Sequence, residues 1–212
     1  MAIEPNSLIP QELLKELVAV GDTRRYASGE VLVSEGDMAD AVYILVSGKL
    51  KVFTCDSRGR ELVYNVMRPG EFFGEMLLDG GRRSASVKST EPSECVVVAF
   101  AEFREFMEKN AAFAEFLIVT LIRRLRHATS QARSLALSGV YERLVDLMNA
   151  EAVEQDGQRI IPAALTQREM SARVGATREM VNHVIRDLLR GGFIAKNGGS
   201  RLVLVKPLPG KW

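Results

Sequence analysis

The sequence predicts an α+β protein in three parts: a β segment, one long helix and a small helical module closed by a hairpin. Three observations carry this. Residues 29 to 100 hold short β-branched and aromatic runs parted by Gly, Asp and Ser. Residues 102 to 137 contain neither proline nor glycine. Residues 166 to 205 place two capped short helices and a hairpin in succession. At 212 residues the chain can form one large domain or two modest ones. The boundaries expected are 1–110, 111–138 and 139–212.

Each element follows in order. "IPQELLKELVAVG" (9 to 21) reads as a short amphipathic helix. "EVLVSEG", "AVYILVSGKLKVF", "ELVYNVMRPGEFFGEM" and "ASVKSTEPSECVVVAF" read as strands, with hairpin corners at 47 to 49 and 56 to 59. Strands so short and evenly spaced suggest a small barrel, roll or sandwich. In the long helix, Leu121, Leu125, Ala128, Ala132 and Leu135 recur at heptad spacing, which predicts a coiled-coil seam and a homodimer. Packing of that helix on its own β segment is the competing reading. Beyond Gly139, "VYERLVDLMNAEAV" is helical and "EQDGQRI" is a turn. Thr166 and Glu169 form a capping box, Gly175 ends that helix, and Thr177 caps the next, from Arg178 to about Arg190. Two helices joined by such a turn make a helix-turn-helix, with Met170, Val174, Val181, Ile185 and Leu188 as its shared core. "FIAKNGGSRLVLV" follows as a wing hairpin with Asn-Gly-Gly at its tip.

Net charge is +1, so overall charge points to no partner. Its distribution is uneven: residues 140 to 212 carry a net +3 and the rest a net −2, a mild asymmetry that suits a C-terminal module meeting a polyanion. Cys55 and Cys95 have no CxxC partner, so neither a disulfide framework nor a cysteine metal site is expected, and a reducing cytoplasmic setting fits. The first sixteen residues lack a basic and apolar leader pattern, and no apolar run is long enough to span a membrane. No Walker loop, Ser/His/Asp grouping or paired-carboxylate motif marks an enzyme.

Two stretches carry chemistry. "GEMLLDGGRRSASV" (74 to 87) gathers three glycines, a glutamate and two adjacent arginines. Bare glycine N–H groups and guanidinium attract an anion, and a carboxylate among them accepts a hydroxyl, which together suit a sugar phosphate. Ordinary turns share this composition. The second stretch is the helix opening at Arg178. It presents Arg178, Glu179, Asn182, His183 and Arg186 opposite its apolar stripe, and these side-chain types read guanine, cytosine and adenine edges. Gln167, Ser171 and Thr177 are placed to hold phosphates.

"PGEFFGEM…RRSASV", "RRLRHATSQ" and "GATREMVNHVIRDLLRGGFI", in that order, resemble the phosphate-binding cassette, dimer helix and recognition helix of the Crp/Fnr superfamily of bacterial transcription factors. The resemblance runs from about residue 10 to about 205. It implies a cyclic-nucleotide-binding β-roll of jelly-roll type, a dimerisation helix and a winged helix-turn-helix. It further implies a homodimer on a pseudo-palindromic DNA operator, contact with RNA polymerase, and cyclic AMP as the effector. On the cassette it implies that the Gly74 N–H and the Glu75 carboxylate hold the ribose end, and that Arg83 and Ser84 hold the cyclic phosphate. Thr129, with Ser130 beside it, stands near the position that contacts adenine from either subunit.

Three departures stand out. Seven residues separate Gly-Glu from Arg-Ser-Ala, fewer than in the cassettes of known binders, which could let Arg82 take the place of Arg83. One adenine-contacting hydroxyl position is Ala128, and His183 stands where well-known members carry a second base-reading arginine. Other sensing chemistries fit less well. No cysteine precedes Cys55, against an iron–sulfur cluster. His127 and His183 lie in the dimer and DNA helices, against haem. No metal is expected. A different small molecule, or constitutive DNA binding, stands as the alternative to cyclic AMP. A nucleotide-sensing module serving a protein partner is a more distant one.

Overall fold

The computed structural model describes residues 8 to 197 and 201 to 210. Two compact units divide it: one holds the chain up to Asp56 together with Val63–Thr129, the other Ser57–Leu62 and the chain from Ser130 onward.

In the first unit, helix α1 (Gln11–Ala19) precedes strands β1 (Asp22–Tyr26), β2 (Val31–Val33), β3 (Ala41–Ser47), β4 (Leu50–Cys55), β5 (Glu61–Met67) and β6 (Phe72–Phe73). A single-turn 3₁₀ helix (Glu75–Asp79) leads to β7 (Ser86–Ser89), β8 (Ser93–Ala99), α2 (Phe100–Lys109) and the long α3 (Ala111–Leu137), whose last turns from Ser130 belong to the second unit. The strands form two four-stranded sheets, ordered β1-β8-β3-β6 and β2-β7-β4-β5. This is the β-roll expected, with β1 as an addition. Its sequence, DTRRY, offers almost no apolar pattern, and it forms by pairing antiparallel with β8 along one sheet edge.

Burial explains why β3 and β8 read as nearly continuous apolar runs. Tyr43, Leu45, Cys95 and Val97 face the space between the two sheets, with Leu50, Phe73 and Val87. The alternate residues Val42, Ile44, Val96 and Val98 face α1, α2 and α3, where Leu17, Phe103, Phe113 and Leu117 complete a second core. One sheet is therefore covered on both faces, and α3 is held to it by an apolar stripe.

That stripe shows one face of the helix packed on the chain's own β domain. Along α3, Phe113, Leu117 and Thr120 are buried, and Arg124 and His127 continue the same line half-buried. Leu121 packs against the β-domain core rather than lying on an open seam. The exposed apolar line is rotated from the one expected: Ile118, Ile122 and Leu125 are exposed, followed at heptad spacing by Thr129, Ala132 and Ala136. The helix packs on its own β domain along one face and leaves a second apolar line open on another.

The second unit contains α4 (Val140–Glu151), β9 (Val153–Gln155), β10 (Gln158–Ile160), α5 (Gln167–Val174), α6 (Arg178–Arg190), β11 (Ile194–Asn197) and β12 (Arg201–Leu204). Its core joins Leu144, Met148, Met170, Val174, Val181, Ile185, Leu188, Leu202 and Leu204, which includes all five positions expected. Strands β11 and β12 pair antiparallel as the wing, in a small sheet ordered β11-β12-β10-β9. The Gly-Gly of the wing tip lies outside the described residues. The stretch read as a turn, "EQDGQRI", is itself a tight hairpin, with Asp156 and Gly157 both at positive φ between β9 and β10. Among the described residues no helix is long and apolar enough to cross a membrane.

Candidate functional site

The cassette begins where β6 ends. Gly74 caps the 3₁₀ helix at φ 96°, in the left-handed region. A β-carbon there would lie 2.6 Å from Arg83 Nη1 and 2.8 Å from the Ala41 carbonyl oxygen. Glycine is needed twice over: the backbone turns the disfavoured way, and Arg83 Nη1 and the Ala41 carbonyl crowd the space a β-carbon would take.

Arg83 is buried, with its side chain 5% exposed. Its Nη2 donates to the Ala41 carbonyl at 2.9 Å and lies 3.4 Å from Asp40 Oδ1. The guanidinium sits 5.5 Å from the centre of the Tyr43 ring, which stacks in turn on Phe73. Nη1 is buried and finds no hydrogen-bond partner among the described residues. A buried cationic donor without an acceptor costs on the order of 1–3 kcal/mol or more, and an anion beside Gly74 would remove that cost. Arg82 is exposed and donates to the Gly36 carbonyl at 2.9 Å. The shortened loop thus turns Arg83, not Arg82, inward.

Glu75 is buried at 6% exposure. Its Oε1 accepts from Arg124 Nη1 on α3 at 2.6 Å, while Arg124 Nη2 donates to the Phe72 carbonyl at 2.5 Å. The Arg124 guanidinium also covers the Phe72 ring, 4.6 Å from its centre. Ser84 is exposed, and its hydroxyl donates to Met76 Sδ at 3.2 Å. A thioether is a weak acceptor, so this hydroxyl is readily given to a stronger one.

Gly74, Glu75, Arg83 and Ser84 thus gather at one cassette. Thr129 and Ser130 lie on α3 beyond Arg124. Both are exposed, and the Thr129 hydroxyl donates back to the Leu125 carbonyl at 2.9 Å on the open face of α3. The α3 side chain that reaches the cassette is Arg124, to which the sequence assigns no role. Its signal was positional: it continues the line of Phe113, Leu117 and Thr120 at heptad spacing. Asp40, the carboxylate beside Arg83, had no such signal. Among the described residues no group of three or more His, Cys, Asp or Glu side chains could hold a metal ion.

The second surface is α6. Thr177 caps it, its hydroxyl accepting from the Met180 N–H at 3.3 Å, and Thr166 caps α5 in the same way. Val181, Ile185 and Leu188 are buried; Arg178, Glu179, Asn182, His183 and Arg186 are exposed on the opposite side, as expected. Met180, not anticipated, is 47% exposed in the first turn. The Glu179 carboxyl is held below the usual carboxylate range by its own backbone N–H and the Thr177 hydroxyl. His183 Nε2 lies 3.3 Å from Asp187, which also pairs with Arg190. Gln167 is half-buried at the start of α5. Ser171 is a correction: it is buried and its hydroxyl donates to the Arg168 carbonyl at 2.8 Å, because it lies on the inner face of α5, so it has no hydroxyl to offer a phosphate.

Comparison with known proteins matches the two regions in which these residues lie. Residues 23–110 match the cyclic nucleotide-binding domain and residues 140–208 the Crp-like helix-turn-helix domain. The chain is 30% identical over 206 residues to the CRP-like cAMP-activated global transcriptional regulator of Mycobacterium tuberculosis, covering 95% of this chain and 89% of that protein. It is 29% identical over 187 residues to the cAMP-activated global transcriptional regulator CRP of Pasteurella multocida, covering 84% and 88%. Among solved structures, the c-di-GMP responsive global regulator CLP of Xanthomonas campestris shares the fold, with a TM-score of 0.79 at 23% identity over 92% of this chain and 99% of that one. A cassette of this build, a winged helix-turn-helix with an open recognition face, and relatives that span nearly the whole chain lead to one assignment: the chain belongs to the Crp/Fnr family of DNA-binding transcription regulators.

Proposed function

We propose that this regulator is a homodimer controlled by cyclic AMP, which it holds at the cassette of residues 74 to 84. The observation that carries this reading is the buried Arg83 Nη1, lacking a protein acceptor and lying against bare Gly74. One residue on, Glu75 offers a buried carboxylate. An anion donor and a hydroxyl acceptor side by side suit a phosphate on a ribose. Arg83 holds the phosphate, Ser84 adds a hydroxyl, and Glu75 takes the ribose hydroxyl. The M. tuberculosis and P. multocida relatives are cAMP-activated, which supports the choice of nucleotide.

Glu75 is tied to Arg124, so ligand engagement at Glu75 bears directly on α3. Its open line of Ile118, Ile122 and Leu125 supplies an apolar face for a second copy of the chain. A ligand shifts such an equilibrium only by its differential affinity for the two states, typically about 1–3 kcal/mol. On DNA, Arg178, Glu179, Asn182, His183 and Arg186 read base edges, and Thr177 and Gln167 hold phosphates. The promoter-bound dimer would then engage RNA polymerase.

The test is fluorescence anisotropy on a duplex selected from random sequence by the protein itself. Cyclic AMP is expected to raise affinity for that duplex by roughly 5- to 150-fold. Equal affinity with and without cyclic AMP would overturn the effector assignment. A response to cyclic di-GMP alone would give this chain the chemistry of the Xanthomonas regulator instead.

A further inference from the structure

We infer that Arg143 is a positioning residue that fastens the helix-turn-helix to the end of the long helix, and so sets the angle at which α6 is presented to DNA. Helix α3 ends at Leu137, and Gly139 then runs extended, with φ −68° and ψ 165°. The last carbonyls of a helix lack internal partners and carry partial negative charge. Arg143, in the first turn of α4, answers this at two helices simultaneously. Its Nη1 donates to the Ser138 carbonyl just past α3, and its Nε donates at 2.8 Å to the carbonyl of Val174, the last residue of α5. One guanidinium therefore closes two helix C-termini that lie more than thirty residues apart in sequence.

A second contact joins the same places. Gly175, which turns the chain from α5 toward α6 at φ 62°, lies so near α3 that a β-carbon there would sit 3.1 Å from Leu135 Cδ2. The turn thus meets a cationic bridge at Val174 and, at Gly175, leucines that include Leu135 of α3. Helix α6 starts at Arg178, immediately after this turn, so the two contacts fix the root of the recognition helix. The α3–α4 junction is a two-residue break, Ser138 and the extended Gly139, whose N–H donates to the Glu142 carboxylate at 3.0 Å. Arginine is required because only a planar fork reaches both carbonyls together; a lysine ammonium is a single point of charge on a flexible stem.

The bridge stands independently of which effector binds. Only its role in carrying an effector's signal rests on the function proposed above. The experiment uses the full-length protein, a duplex selected by the wild type, an unrelated duplex, and the variants Arg143→Lys and Arg143→Met. Affinity for both duplexes is measured at one salt concentration, with and without saturating cyclic AMP, alongside thermal unfolding. Arg143→Lys keeps the charge and loses the fork. It is expected to lower the ratio of selected to unrelated affinity by roughly tenfold, the effect of losing one charge-assisted bond, with affinity for the unrelated duplex unchanged. Arg143→Met is expected to lower the ratio at least as far. A wild-type ratio in both variants overturns the inference. So does a joint loss of both affinities with a fallen unfolding midpoint, which would make Arg143 a plain stabiliser of the fold. Wild-type protein indifferent to cyclic AMP would contradict the effector assignment alone, and the ratio would still judge Arg143.

Discussion

Arg124 of the long helix donates to Glu75 of the cassette at 2.6 Å, and both side chains are largely withdrawn from water, at 25% and 7% exposure. The pair joins the residue proposed to hold a ribose hydroxyl to the helix proposed to pair with its copy. Breaking it from one side leaves a buried carboxylate without its cation. Arg124→Met is therefore expected to cost about 3 kcal/mol of unfolding free energy, the lower end of the range for such orphaned pairs. Denaturant unfolding of Arg124→Met, Glu75→Gln and the double variant checks this. The double variant should be more stable than Arg124→Met alone, and simple additivity would contradict the coupling.

Gly74→Ala puts a methyl group against both Arg83 Nη1 and the Ala41 carbonyl, at a φ that alanine rarely adopts. The expected cost is about 1–3 kcal/mol of stability from backbone strain, together with loss of nucleotide binding as Arg83 is pushed aside. Unfolding and calorimetric titration of one sample measure both. Wild-type nucleotide affinity in this variant would contradict the close approach.

Burial lowers the pKa of the His127 imidazole beneath its ordinary 6.5. The folded chain then takes up the proton less readily than the unfolded one. Stability from this group is complete above about pH 6.5 and declines as pH falls through the window beneath it. His127→Gln cannot titrate and should lose that part of the slope. Thermal midpoints from about pH 7.5 down to about pH 5 decide it: parallel curves for the two proteins would contradict the prediction.

Arg178→Ala removes an exposed guanidinium at the start of α6. It should weaken binding to the selected duplex by about 1–3 kcal/mol and relax preference at one base pair, with the dimer intact. Competition binding against single-base variants of the duplex reads this directly. Unchanged discrimination would remove Arg178 from the base-reading set.

The fold was legible wherever an element carries its own signal. The winged module could be read because Thr166, Gly175 and Thr177 mark helix ends chemically and Val181, Ile185 and Leu188 keep one period. Strand β1 could not, since DTRRY acquires strand structure only by pairing with β8. The long helix was legible in kind but not in rotation. Two heptad lines share it, and the sequence does not say which one its own β-roll takes. The cassette could be located through its glycines and arginines, whereas its internal pairings could not. That Arg83 rather than Arg82 turns inward depends on the path of the loop, and that Arg124 meets Glu75 depends on the docking of α3.

The most direct measurement is calorimetric titration of cyclic AMP into the purified protein, with cyclic GMP and the Arg83→Ala variant alongside. Saturable binding of cyclic AMP, absent or at least tenfold weaker in Arg83→Ala as expected for a charge-assisted phosphate contact, is the predicted result. No binding of cyclic AMP to the wild type, or equal binding to both proteins, would contradict the assignment of the cassette.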